Sequence, residues 1–344
     1  MRIALLTYST RPRGGVVHTL ALAEALCAAG AEVTVWSLAR GGGFFRPIAA
    51  GVRVELVPFP DVPGEQVGGR IMRSIALLRD AFRPGDYDIV HAQDCISANA
   101  VPRCVRTVHH LDRFTTPELA ACHERAITRP YAHVTVSAAV AAELRDGWGI
   151  TATVIPNGVD ADRFAAAPRM VRARPYLLSV GGIEPRKGSI DLLDAFAIVR
   201  RTRPDLELVI AGGETLFDYR EYRAAWQARA DALGLAPDVL GPVAHDELPS
   251  LVAGAAAFAF PSTKEGFGLA ALEALAAGVP VVVRDLPVLR EVFGPAVGYG
   301  HDPESLAAAL LAAVERGHRP SALPSTYTWT EAARRHLAFY ATLA

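Results

Sequence analysis

Long apolar runs, net charge and cysteine are all scarce in this 344-residue chain, and each scarcity removes a class of protein. Nowhere do about 18 uncharged apolar residues follow one another, so no transmembrane helix is expected. Lysine and arginine together number 35 against 36 aspartates and glutamates, a formal net charge of −1. A chain so balanced carries no electrostatic footprint for nucleic acid, and any anionic ligand must be held by local groups. The four cysteines, Cys27, Cys95, Cys104 and Cys122, form no C-x-x-C pair and no zinc-like spacing. Reduced thiols in a cytoplasmic protein are the expectation. The opening Met1 to Tyr8 is too short for a signal-peptide core and is soon followed by Arg11 and Arg13, so it reads as a first strand.

Two phosphate-binding signatures are missing as well. The G-x-G-x-x-G spacing does not occur after the first strand, which argues against a nicotinamide enzyme. Around Gly181 to Ser189, Lys187 precedes Gly188, with no earlier glycine at the P-loop distance, so a kinase or ATPase reading fails.

What is present is 51% hydrophobic residues and only 21% charged, enough to bury large cores over a length that suits two domains. Short apolar runs alternate with longer amphipathic or alanine-rich segments, the pattern of parallel α/β sheets. Strands are expected near 3–8, 32–38, 52–58, 88–92, 105–109, 133–137 and 153–156, and again near 176–181, 206–211, 238–241, 256–260 and 279–283. Between the two sets the alternation pauses. We therefore divide the chain into residues 1–165, 166–325 and a terminal helix within 326–344. Two doubly wound sheets of this kind would face one another across a cleft at their strand carboxyl ends, where ligand groups converge.

The densest chemistry lies after the run Ala255 to Phe260. Pro261 to Gly268 reads as an exit loop and Leu269 to Ala277 as a helix stopped by Gly278 and Pro280. Glu265 stands before that helix and Glu273 inside it, about 12 Å apart in rise if helical throughout, so they would contact different parts of one elongated ligand. Free N–H groups at Phe267, Gly268 and Leu269 would face an anion. Glu273 is surrounded by leucines and alanines, which makes an ordinary solvated position hard to arrange. In the corresponding loop of the same half, Arg186 and Lys187 could clamp a diphosphate, one by its planar fork and the other as a point charge. In the first half, Gly14 and Gly15 open a helix directly after the first strand and can let backbone approach a phosphate or sugar. His109 and His110 end a strand; adjacent strand residues point to opposite faces, so they do not share a metal, and one can face the cleft as a polar or acid–base group.

Asp86-x-Asp88 and Asp160-x-Asp162 carry the cheap D-x-D spacing, and no metal is assigned to either. The stretch Arg70 to Arg83 is basic and amphipathic, but its arginines do not gather on one face. It reads as a solvated helix, with weak peripheral contact to an anionic membrane left open.

Taken together, Gly14-Gly15, His109, Pro156-Asn157-Gly158-Val159-Asp160, Gly181 to Gly188 and the Glu265-to-Glu273 block resemble retaining glycosyltransferases of family 4, over nearly the whole chain. The resemblance implies the GT-B fold, α/β with two Rossmann-like doubly wound domains and a C-terminal helix, after Tyr327-Thr328-Trp329, crossing back to the first domain. It implies a UDP- or GDP-sugar donor held mainly by the second domain, a small-molecule, saccharide or lipid acceptor held mainly by the first, and no metal or other cofactor. Glu273 would bond the ribose, backbone at Phe267, Gly268 and Leu269 would hold phosphate or sugar, and Glu265 would sit near the sugar. Lys187 with Arg186 would neutralise the leaving diphosphate. His109 would contact the sugar and stabilise an oxocarbenium-like state, with a donor phosphate oxygen taking the acceptor proton. Base and sugar selectivity fall to loops near Gly213, Val243 and residues 262–268. Two departures stand: Gly182 where the family often has arginine, and His110 where it commonly has aspartate. Alternative readings are a nucleotide-sugar 2-epimerase of the same fold and a non-catalytic nucleotide-sugar-binding protein.

Overall fold

A computed structural model describes residues 1–112, 116–213 and 219–343. Its chain divides into two compact units, Met1–Gly158 with Tyr327–Ala344, and Val159–Thr326.

The first unit holds a seven-stranded sheet: β1 (Arg2–Leu6), β2 (Glu32–Ala39), β3 (Arg53–Pro58), β4 (Ile89–Ala92), β5 (Val105–Val108), β6 (Ala132–Thr135) and β7 (Thr153–Val154). All pairs are parallel, in the order β3-β2-β1-β4-β5-β6-β7. Parallel strands need crossovers, and helices supply them, which is why the strands are apolar on both faces. Ile3, Ala4, Leu5 and Leu6 of β1 are completely buried. The helix Gly14–Ala28 packs Leu20 and Leu26 onto this sheet, and the terminal helix Trp329–Ala341 adds Ala333 and Tyr340 to the same core. Its docking demands Gly158: a Cβ there would lie 2.3 Å from the backbone nitrogen of Trp329.

The second unit repeats the plan with six strands: β8 (Tyr176–Val180), β9 (Glu207–Ala211), β10 (Asp238–Gly241), β11 (Ala257–Phe260), β12 (Val281–Arg284) and β13 (Gly298–Gly300). The order is β10-β9-β8-β11-β12-β13, again all parallel. Leu177, Leu208, Ile210 and Val282 share its core with Leu193, Phe196, Leu306 and Leu310 of two covering helices.

One boundary and one strand differ from the sequence reading. The change of unit falls at Gly158–Val159 rather than at residue 165, because the short helix Ala161–Ala165 packs within the second unit, against the helices Leu248–Gly254 and Leu269–Ala276. The strand β13 was not anticipated: a Gly-Tyr-Gly triplet has no apolar run to announce it. Both doubly wound sheets stand where the alternation of apolar runs set them, and no described helix is long and apolar enough to cross a membrane.

Candidate functional site

Strands β8 and β11 are neighbours, with Leu177 opposite Ala257 and Leu178 opposite Phe258. Their exit loops therefore meet at the carboxyl edge of the second sheet, the edge where open α/β sheets take ligands. After β8 the chain passes through a 3-10 turn, Pro185–Lys187, and enters the helix Ser189–Thr202 at Gly188, whose φ is +62°. A Cβ on Gly188 would come within 2.3 Å of the Pro261 carbonyl oxygen, so this glycine is what lets the two loops close on each other. Thr263 N–H donates to the Arg186 carbonyl at 2.8 Å and pins the same seam.

On that seam the charged residues gather. Lys187 Nζ donates to Glu265 Oε1 at 2.6 Å, and Arg186 Nη1 donates to the same oxygen at 3.1 Å. Arg186 Nη2 also donates to Glu184 Oε1 at 3.0 Å. Lys187 Nζ lies 5.0 Å above the Phe260 ring. Two cations thus meet two largely buried carboxylates in a cluster joining residues that lie far apart in sequence. The sequence reading assigned Lys187 and Glu265 to different parts of a ligand; the structure puts them in direct contact. Beneath them, buried Arg284 donates to the Pro261 carbonyl at 2.8 Å and the His301 carbonyl at 2.9 Å and pairs with Asp191. Arg284 was missed because a single arginine closing a valine strand carries no sequence signal, yet it fixes the start of the Glu265 loop.

The loop then enters the helix Leu269–Ala276 at Gly268, with φ +96° and Phe293 3.0 Å from where a Cβ would stand. Phe267 is buried and anchors the entry. Among the described residues, the N–H groups of Gly268 and Leu269 have no acceptor, leaving the positive end of this helix open to an anion. The helix of Glu273 packs against the helix Ala161–Ala165, and Arg163 and Asp160 act on its carboxylate. Its carboxylate has no hydrogen-bond partner among the described residues, and burial pushes its pKa up to about 7; Arg163 opposes that rise and Asp160 adds to it. Val243 lies half-buried in the loop after β10, beside Pro242, which packs against Gly213.

In the first unit, His109 follows β5 directly rather than belonging to it, so the alternation of strand faces does not apply. His110 turns to Asp112, Nε2 to Oδ2 at 3.2 Å. The His109 ring sits 3.7 Å from where a Cβ on Gly15 would be, and its centroid is 4.7 Å from that of His18. Gly15 therefore makes room for an imidazole, while a Cβ on Gly14 would meet nothing. His18 is 1% exposed, and its Nδ1 donates to Asn157 Oδ1 at 2.8 Å. Burial, reinforced by His110 and Arg106, lowers the His109 pKa to about 3, and burial likewise holds His18 well below the usual range. Both rings are neutral near pH 7. His18 was passed over because it reads as one more residue on a helix face; its contact with Asn157 comes only with the fold.

Both D-x-D pairs have structural work. Asp88 pairs with Arg2, and Asp160 caps the helix Ala161–Ala165 through Arg163 N–H. In the basic stretch, Arg73 forms a two-point pair with Glu65.

A profile described as Glycosyl transferases group 1 matches residues 161–334, and one described as Glycosyltransferase Family 4 matches residues 12–163. The phosphatidyl-myo-inositol mannosyltransferase of Mycobacterium tuberculosis is 31% identical over 339 residues, covering 91% of this chain and 86% of the relative. Among solved structures, sucrose-phosphate synthase from Thermosynechococcus elongatus superposes with a TM-score of 0.77 at 19% identity, covering 99% of this chain and 98% of that one. HepE of Anabaena, solved in complex with UDP and glucose, gives 0.74 at 18% identity, covering 98% and 99%. These two likenesses speak for the fold. Matching profiles in both halves, with a relative aligned along most of its length, make this chain a glycosyltransferase of family 4, with the GT-B fold.

Proposed function

We propose that the protein is a retaining glycosyltransferase that moves a sugar from a UDP- or GDP-sugar to a hydroxyl acceptor without a metal ion. The observation that carries this reading is the meeting of Lys187, Arg186 and Glu265 beside the open N–H groups of Gly268 and Leu269. A diphosphate leaving group needs positive charge and oriented donors where its own charge develops. Here two cations and a helix amino end supply both, so the neutralisation a divalent cation would give is assigned to side chains. The carboxylate of Glu265 holds those cations in place, and in the proposed reaction it also orients the sugar. Glu273, with no hydrogen-bond partner among the described residues, receives the ribose hydroxyls. His109, neutral and backed by His18, stabilises the cationic sugar by its ring nitrogen, and a donor phosphate oxygen takes the acceptor proton. Anabaena HepE, with its bound UDP and glucose, supports the donor class.

The test is release of nucleoside diphosphate from a panel of UDP- and GDP-sugars, with and without acceptors, in buffer containing EDTA. One donor should be cleaved faster with acceptor, and chelation should leave the rate unchanged. Lys187→Ala, Glu273→Ala and His109→Ala should each lower kcat/KM by about 100-fold or more. Full activity in all three variants would sink the site assignment, and loss of activity with EDTA would sink the metal-free chemistry.

A further inference from the structure

At the carboxyl ends of β1, β2 and β3 the first unit gathers a second set of charges that the reading above does not use. Tyr8 follows β1, Arg40 follows β2 and Phe59 follows β3. Arg13 precedes the helix Gly14–Ala28, and Arg70 and Arg73 lie in the opening turns of the helix Val67–Ala81. The Arg40 guanidinium carbon lies 4.1 Å from the Phe59 ring centroid and 5.5 Å from that of Tyr8. Arg73 stacks on the same Phe59 at 3.9 Å. Arg13 lies 5.6 Å from the Tyr8 centroid, and its Nη1 donates to the Tyr8 hydroxyl at 2.6 Å. Two aromatic rings thus hold three guanidiniums close together, with Arg70 near enough to Arg40 to repel it.

Among the described residues no carboxylate pairs with Arg13 or Arg40. Glu65 is engaged by Arg73 through two hydrogen bonds of 2.7 Å, and Asp61 acts on Arg73 as well. Asp94 accepts instead from the N–H groups of Ser97 and Tyr8, at 2.8 and 2.9 Å. Arg40 Nη2 donates to Ser74 Oγ at 2.5 Å, but its Nε is buried with no acceptor among the described residues. Burial, with Arg70, Arg13 and Arg73 around it, lowers the Arg40 pKa to about 10. Cation–π contacts offset only part of such crowding. A surplus of planar, fork-shaped donors at the ligand-binding edge of a parallel sheet is suited to a tetrahedral oxyanion.

We infer that this edge binds the phosphate group of the acceptor, so that the acceptor is a hydroxyl compound carrying a phosphate ester, with Arg40 and Arg13 selecting it. The inference rests on the transferase reading and narrows its acceptor class. The ester is either a free sugar or polyol phosphate or the headgroup of a phospholipid.

Calorimetry with glucose 6-phosphate and inositol 1-phosphate, each against its neutral parent, tests the first source. Sedimentation with phosphatidylcholine vesicles, with and without phosphatidylinositol, tests the second. At least one phosphorylated probe should bind 10-fold or more tightly than its neutral counterpart, and Arg40→Gln should weaken it about 10-fold. Arg13→Gln, on a different element, should do the same and guards against misfolding of the first variant; Arg145→Gln, paired locally with Asp146, should not. Soluble binding names a free phosphate as the source, and vesicle binding alone names a lipid. Equal binding of phosphorylated and neutral probes in every arm, or a preference untouched in both variants, would overturn the inference. Nucleotide release stimulated only by neutral acceptors would overturn it while sparing the transferase reading. A phosphate preference with no release from any donor would spare the anion site and sink that reading.

Discussion

Glu273 sits on the helix Leu269–Ala276 among leucines and alanines, with no hydrogen-bond partner among the described residues and a pKa raised to about 7 from the usual 4.5. The folded chain therefore holds this proton more tightly than the unfolded one. Stability from this group is fully present below about pH 4.5 and is lost as pH rises through 7, a change of about 1–3 kcal/mol. Glu273→Gln should flatten that decline, measured by urea unfolding at pH 5, 6, 7 and 8; an equal slope in both proteins would contradict it. A ribose hydroxyl donating to the ionised form would shift the balance the other way. Nucleoside diphosphate should accordingly bind more tightly at pH 8 than at pH 6 to the native protein, and Glu273→Gln should remove the difference in calorimetry. The unusual setting of Glu273 was legible in the sequence, since no arrangement of its apolar neighbours gives it ordinary solvation. The Lys187–Glu265 contact was not, because it depends on β8 and β11 being neighbours.

Elements announce themselves in this chain when they are buried on both sides. β11 is apolar throughout, as are β1 after Arg2 and β12 up to Arg284, and twelve of the thirteen described strands fall where such runs or their alternation set them. The exception, β13, is glycine-rich for a reason visible only in the packing: a Cβ on Gly300 would lie 2.5 Å from the backbone nitrogen of Leu306, in the helix Pro303–Arg316. Close approach has replaced apolar area as the organising demand there. The same demand acts at Gly158, where a side chain would meet the backbone of Thr328 and Trp329 at 2.6 and 2.3 Å. Gly158→Ala should therefore loosen the terminal helix and cost about 2–4 kcal/mol, seen as a lower urea midpoint and a changed Trp329 fluorescence. An unshifted midpoint would show that the backbone yields without penalty.

Across the whole molecule, titration is distributed unevenly. His18, His91, His109 and His336 are all in the first unit, and burial holds all four below the usual 6.5. His91 bridges Tyr340 on the terminal helix, at 2.6 Å, to Thr107 on β5, at 2.7 Å. A histidine whose folded value is depressed stabilises above its unfolded pKa, and that contribution drains away as pH falls from about 6.5 toward the folded value. Each of the four contributes up to about 1.4 kcal/mol per pH unit in that window. The first unit should lose stability steeply between pH 7 and pH 5, monitored through Trp36 and Trp329, while the region around Trp226 in the second unit changes far less. Parallel loss in both units would refute the assignment. That first unit is also the discontinuous one: Val159–Thr326 is a single stretch, whereas the core of β1 and the helix Gly14–Ala28 awaits Ala333 and Tyr340. During synthesis the ribosome delivers everything the second unit needs before it delivers the segment that closes the first. The half of the molecule made first is therefore finished last, and until Tyr327–Ala344 emerges its apolar seat stands open to chaperones and proteases.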